Sequence, residues 1–142
     1  MGDRLTQDER SKMMAKIRSR DTKPEIAVRS MLHRLGFRFR THDSSLPGTP
    51  DVVLRRHRAV VLVHGCFWHR HLGCRFAYSP KSRQDFWTAK FLGNIERDVR
   101  VEDALMELGW NVIVVWECEL SSPDALRERL LEEIAHGGEP AA

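Results

Sequence analysis

Apolar residues fall along this chain in two rhythms, one helical and one alternating or continuous, and the switches between them lay out the fold. Ile26, Val28, Met31, Leu32 and Leu35 recur at helical spacing. A start signal precedes them: Thr22 as N-cap, Pro24 in the first turn where its missing N–H costs nothing, and Glu25 three residues after Thr22 to complete a capping box; Gly36 ends the helix. Phe37-Arg38-Phe39-Arg40 then alternates apolar and basic residues, as a half-buried strand does. A turn-forming stretch from Asp43 to Pro50 leads into a short strand, Asp51 to Leu54. A turn around Arg56-His57-Arg58 joins it to the β-branched run Ala59 to His64, so the two are expected to pair as a hairpin. Phe86, Phe91, Ile95, Val99, Ala104, Leu105 and Leu108 predict core positions of a long helix from about Asp85 to Leu108, capped by Gly109. Asn111 to Trp116 reads as another strand, and Pro123 opens a final helix ending near Ala135. Met13, Met14 and Ile17 mark a thin amphipathic helix over about 7–19, and the small polar tail 137–142 is expected to fray. The order α-α-β-β-β-α-β-α predicts an α/β/α sandwich around a mixed sheet, in one domain spanning residues 1–142.

Composition narrows the partners. At 142 residues and 42% hydrophobic, the chain supports a single core. No stretch approaches the ~20 apolar residues of a membrane span, so a soluble, cytoplasmic monomer without a membrane partner is expected. Charge is unevenly spread: residues 1–42 carry 11 Lys/Arg against 5 Asp/Glu, and residues 117–142 carry 2 against 7. A basic front and an acidic tail point to a polyanion met by the N-terminal part, or simply to two solvated faces of opposite sign.

Chemistry gathers in Val63–Cys74, which holds three of the seven histidines and two of the three cysteines and begins where the buried strand ends. Cys66, His71 and Cys74 are close enough in sequence to fold around one ion, and Cys118, just past the last strand, can supply a fourth ligand. A closed set of three cysteines and one histidine suits a structural zinc, with no position left for water; ordinary reduced thiols are the alternative. His64 and His69 fall outside that set, with Phe67 and Trp68 between them. Asp51, at the mouth of the buried hairpin, needs a neutralising partner, either a metal ion or a capped turn.

An aspartate opening a strand after a proline resembles the restriction-endonuclease-like fold, although the acid-x-Lys pair usual on its next strand is absent from Val60–His64. A narrower resemblance is carried by Arg20-Asp21-Thr22-x-Pro24-Glu25, Leu46-Pro47-Gly48-x-Pro50-Asp51, His64-Gly65-Cys66-Phe67-Trp68-His69, Phe86-Trp87, Asn94-x-x-Arg97-Asp98 and Trp116-Glu117-Cys118. Together, over about Ser11 to Ala135, these resemble the very-short-patch repair (Vsr) DNA mismatch endonucleases. The resemblance implies a Mg²⁺-dependent enzyme, held together by structural Zn²⁺, that nicks double-stranded DNA 5′ to the thymine of a T:G mismatch left by deaminated 5-methylcytosine. It further implies that Asp51 binds magnesium together with the backbone carbonyl of Val63. His69 would serve as base, Glu25 as the carboxylate orienting it, and His64 as a phosphate contact. Phe67, Trp68 and Trp87 would enter the base stack. Two other functions remain open at this stage: a nickase of the same fold that needs no mismatch, and a zinc-stabilised DNA-binding module without cleavage.

Overall fold

The computed structural model describes residues 22–137, so the N-terminal helix expected over 7–19 and the end of the tail lie outside the described residues. Helix α1 runs Lys23–Arg34, with the Thr22 hydroxyl accepting from the Glu25 amide at 3.4 Å. Val28 and Leu32 are its buried positions, whereas Ile26, expected on the same side, is 48% exposed. The reason is angular: two residues turn a helix by about 200°, so Ile26 cannot share a stripe with Val28.

Four strands form one sheet in the order β1-β2-β3-β4. They are Arg40–Thr41, Val52–Leu54, Ala59–His64 and Asn111–Trp116. The first three are antiparallel neighbours, and β3 and β4 are parallel from Ala59 opposite Asn111 to His64 opposite Trp116. The strand expected at residues 37–40 is corrected to the two residues Arg40–Thr41. Phe37 and Phe39 are partly buried against the core, so the alternation was real, but three-residue β2 leaves them no ladder to join.

Alternation along β3 splits the core in two. Ala59 and Val61 face α1 and the last helix, α3 (Pro123–Gly137), with Leu126, Leu130 and Ile134. Val60 and Leu62 face the other way, toward Leu105 on helix α2 (Gln84–Glu107). The result is the expected α/β/α sandwich. Helix α3 runs two residues beyond the expected end at Ala135.

Helix α2 is where expectation and structure differ most. Phe91 and Leu105 are buried, but Phe86, Ile95, Val99 and Leu108 are 39–54% exposed. A 24-residue helix is about 36 Å long, against about 20 Å for a six-residue strand, so much of α2 must project past the sheet. The projecting half leaves its apolar residues beside the ends of β3 and β4.

The approach to Asp51 is fixed by close packing. Gly48 sits at φ +72°, and a Cβ there would overlap the Val101 side chain on α2. Asp43 ties the same loop down, accepting from the Ser45 amide and from Arg55, each at 3.0 Å. Among the described residues, no helix is long and apolar enough to cross a membrane.

Candidate active site and metal centre

Parallel pairing of β3 with β4 brings their C-terminal ends, and the turns after them, to one place. Cys66 follows β3, and Cys118 lies in the 3₁₀ turn Glu117–Ser121 that follows β4. Between residues 66 and 77 the chain folds into successive tight turns: the His71 amide donates to Cys66 O, Cys74 to His71 O and Ala77 to Cys74 O, at 3.0–3.2 Å. Donor atoms of Cys66, His71, Cys74 and Cys118 consequently lie within 4.8 Å of one another. Tetrahedral zinc with Zn–S bonds of ~2.3 Å places sulfurs about 3.8 Å apart, so the set fits that ion. The Cys118 Sγ to His71 Nδ1 distance is 3.4 Å. Burial pushes the Cys66 thiol up to about 12. A thiolate there needs a cation beside it. We expect Cys118→Ala to lose bound zinc and, with several kcal/mol of metal-coupled folding forfeited, to lower Tm by roughly 10 °C or more. Metal analysis with a thermal scan checks this, and full zinc content in the variant would contradict it.

Beside that centre lie the two remaining histidines. The rings of His64 and His69 stack in parallel, centroids 4.0 Å apart and planes 4° apart. His64 is buried, its Nδ1 has no hydrogen-bond partner among the described residues, and burial pulls its pKa down to about 4, so the ring is neutral at pH 7. Trp116 joins both centres: His71 stacks on it at 4.2 Å and His64 meets it edge-on at 5.2 Å.

The carboxylate that meets His69 is Asp98 on α2, with Oδ2 2.7 Å from Nδ1. The partner expected for His69 was Glu25. Glu25 Oε2 instead lies 3.2 Å from His42 Nε2, because α1 enters on the β1 side of Asp51. One helical turn before Asp98, Asn94 donates to the Trp68 carbonyl at 3.1 Å, so the same face of α2 holds two consecutive residues of the loop. Neither Asp98 nor His42 was singled out for a role by the sequence reading. For Asp98 a signal existed: Asn94 and Asp98 are four apart and so share one face of the helix.

Asp51 immediately precedes β2, at the end of the hairpin where β3 runs on beyond its partner. Its Oδ2 accepts from the Val63 amide at 2.7 Å. In an extended strand the N–H and C=O of one residue point to the same edge, so the Val63 carbonyl also faces the Asp51 side. Burial chiefly, and then the nearby Glu25 charge, raise the Asp51 carboxyl to about 6, against the lowering pull of the Val63 amide. Asp51, Glu25 and His42 donor atoms fall within 4.8 Å of one another. Oxygen donors around a carboxylate costly to ionise alone fit a hard divalent cation. From pH 3.8 to about 6 the folded chain holds a proton at Asp51 that the unfolded chain has released, so stability falls as pH rises through that window, by at most about 3 kcal/mol. Asp51→Asn is therefore expected to raise Tm of the zinc-loaded, magnesium-free protein at pH 7 and leave it unchanged at pH 3.5. A thermal scan at both pH values checks it, and equal shifts at the two would contradict it.

The structure brings the three expected stacking aromatics together. Phe67 lies 5.1 Å from Trp68 and 5.5 Å from Trp87, centroid to centroid, and the two tryptophans are 5.7 Å apart. Phe86, Phe91 and Tyr78 extend this half-buried group. Lys90 and Arg83 approach its rings at 6.0 and 4.7 Å. A cavity of about 510 Å³ opens between the histidine pair and α2, walled by Leu72, Ile95, Val99 and Trp116.

Comparison with known proteins gives the family. The profile of a family described as DNA mismatch endonuclease Vsr matches residues 2–75. Type II nicking enzyme V.XorIIP of Xanthomonas oryzae pv. oryzae is 54% identical to the chain over 92% of its length and 95% of the relative's. Type II nicking enzyme V.NmeAIP of Neisseria meningitidis serogroup A is 48% identical, over 92% of both. The DNA mismatch endonuclease Vsr of Escherichia coli is 45% identical over 93% of this chain and 87% of its own.

Proposed function

The chain belongs to the Vsr family of DNA mismatch endonucleases and is a DNA-nicking endonuclease, and on that premise we propose that it cuts one strand 5′ to the thymine of a T:G mismatch, using Mg²⁺ at Asp51 and Val63. The observation that carries this reading is a buried carboxylate, Asp51, and a histidine–carboxylate pair, His69 with Asp98, at one end of the sheet.

Each side chain has a defined task. Asp98 takes the Nδ1 proton of His69 in a hydrogen bond, which leaves Nε2 unprotonated and aimed to receive a proton from water. When that proton arrives, Asp98 stabilises the imidazolium. His64, neutral and stacked against His69, would meet a phosphate oxygen of the substrate through Nε2, since its Nδ1 is buried. The Asp51 carboxylate and the Val63 carbonyl would hold the magnesium, which when bound would supply Lewis-acid charge for a phosphoryl oxygen. Cys66, His71, Cys74 and Cys118 would hold a structural zinc, and two of these residues, Cys66 and His71, flank His69 along the chain and would fix its backbone outside the reaction.

Mismatch reading falls to Phe67, Trp68 and Trp87. Inserting a side chain between base pairs costs a few kcal/mol of unstacking, least where pairing is already distorted, and stacking returns about 1–3 kcal/mol per base. A T:G wobble is opened in preference to a Watson–Crick pair. Trp68→Ala is expected to lower the ratio of T:G to matched nicking by about tenfold, the loss of one stacking contact. Rates on the two duplexes check it, and an unchanged ratio would remove Trp68 from the wedge.

One observation favours a second reading. Two of the similar proteins are described as Type II nicking enzymes, words that specify no mismatch. On that reading the same catalytic residues act, and the aromatics distort a matched duplex.

A further inference from the structure

We propose that Arg70 is the positioning residue of the aromatic wedge: it clamps Phe67 to the 77–79 loop and to α2, so discrimination of the mismatch depends on it more than phosphodiester cleavage does. This rests on the wedge reading given above.

Arg70 stands between the base His69 and the zinc ligand His71, with φ +55°. A residue with a Cβ is disfavoured in that region, where glycine is the usual occupant. The turn sends consecutive histidines to different sites, one to Asp98 and one to Cys118. What the arginine side chain adds is seen in its contacts. Nη1 donates to the Phe67 carbonyl at 3.3 Å and the Tyr78 carbonyl at 3.0 Å, while Nη2 donates to the Ala77 carbonyl at 2.8 Å and the Ser79 hydroxyl at 3.5 Å. Its guanidinium carbon lies 4.0 Å from the centre of the Phe91 ring and 5.7 Å from that of Phe67.

One planar group therefore joins three separate segments: the loop carrying Phe67 and Trp68, the loop carrying Tyr78, and α2 carrying Trp87 and Phe91. Both terminal nitrogens face protein acceptors. That separates Arg70 from an arginine whose task is to meet DNA phosphates, which would present its fork to solvent. Tyr78 and Phe91 each touch Phe67, so the clamp closes around the ring at the centre of the cluster. A wedge works only if it is stiff before it meets the stack, since ordering it afterwards subtracts from the energy available for opening a pair. Lysine has the charge but neither the plane nor the fork.

The test uses the full chain with zinc bound and three variants: Arg70→Gln, Arg70→Lys and Trp68→Ala. Nicking is measured on T:G and matched duplexes, and on a duplex with an abasic site at the wedge step, where no stacking has to be broken. Arg70→Gln is expected to lower the T:G-to-matched ratio about tenfold, one stacking contact's worth, with Arg70→Lys in between. The rate on the abasic duplex should fall far less, and zinc content should stay at that of the parent. If Arg70→Gln loses zinc, or slows on all three duplexes alike, the residue is structural and the proposal is overturned; Arg70→Lys answers the same question should Arg70→Gln not fold. If Trp68→Ala loses discrimination while both Arg70 variants keep it, the clamp fails and the wedge stands. If Trp68→Ala itself keeps discrimination, the wedge reading fails first.

Discussion

Asp51→Asn is expected to reduce nicking by about 10³-fold or more, since the metal-bound charge it anchors is worth several kcal/mol in the transition state and each ~1.4 kcal/mol is tenfold. The same variant should bind duplex DNA about as well as the parent, because one neutralised carboxylate removes no phosphate contact. It should also be the more stable protein at neutral pH without magnesium, as the raised Asp51 carboxyl requires. This combination, dead but stabilised, is hard to produce by accidental misfolding. Nicking assays, a binding titration and a thermal scan on one preparation decide it. Residual activity above a tenth of the parent's would move the metal elsewhere.

Asp98→Asn is expected to be nearly as damaging, with nicking down by about 10²–10⁴-fold, the range general-base catalysis contributes. The 2.7 Å contact with His69 Nδ1 is the reason. An asparagine can present its amide nitrogen to Nδ1, which favours the tautomer with the proton on Nε2 and so blocks the atom that should accept one. Zinc content should not change, since Asp98 is not one of the Cys66, His71, Cys74 and Cys118 group. Glu25→Gln serves as the contrast. Its carboxylate pairs with His42, so a smaller loss is expected there than at Asp98. Were Glu25→Gln to abolish nicking while Asp98→Asn stayed within twofold of the parent, the assignment of the orienting carboxylate would have to be reversed.

What the sequence showed depended on the range of the interaction. The clustering of Cys66, His71, Cys74 and Cys118 was legible because three of them lie within nine residues, and Cys118 is the only other cysteine. The Thr22 cap was legible for the same reason, being a contact three residues long. Asp51 announced itself through the cost of a carboxylate before a buried strand, and the structure supplies that burial. Asp98 was hidden by distance: its partner is 29 residues earlier, and only the packing of α2 across the sheet ends brings them together. The apolar positions of α2 misled for a related reason. Periodicity marks a face but says nothing about whether a sheet extends far enough to cover it, so Ile95 and Val99 were assigned to a core and in fact wall the cavity beside the histidines. The Phe37–Arg40 alternation likewise reported burial correctly and pairing incorrectly, since pairing depends on the length of a neighbouring strand.

The central claim is that this endonuclease recognises a distorted pair and cuts beside it with magnesium. The direct measurement is to incubate the purified protein with two duplexes identical except for one T:G in place of a C:G pair, with and without Mg²⁺, and map the product ends. The account predicts a single nick 5′ to the mismatched thymine, dependent on Mg²⁺, and at least about tenfold slower cutting of the matched duplex, in line with stacking energies of 1–3 kcal/mol. Equal nicking of both duplexes at the same position would contradict it and establish the matched-duplex nickase in its place.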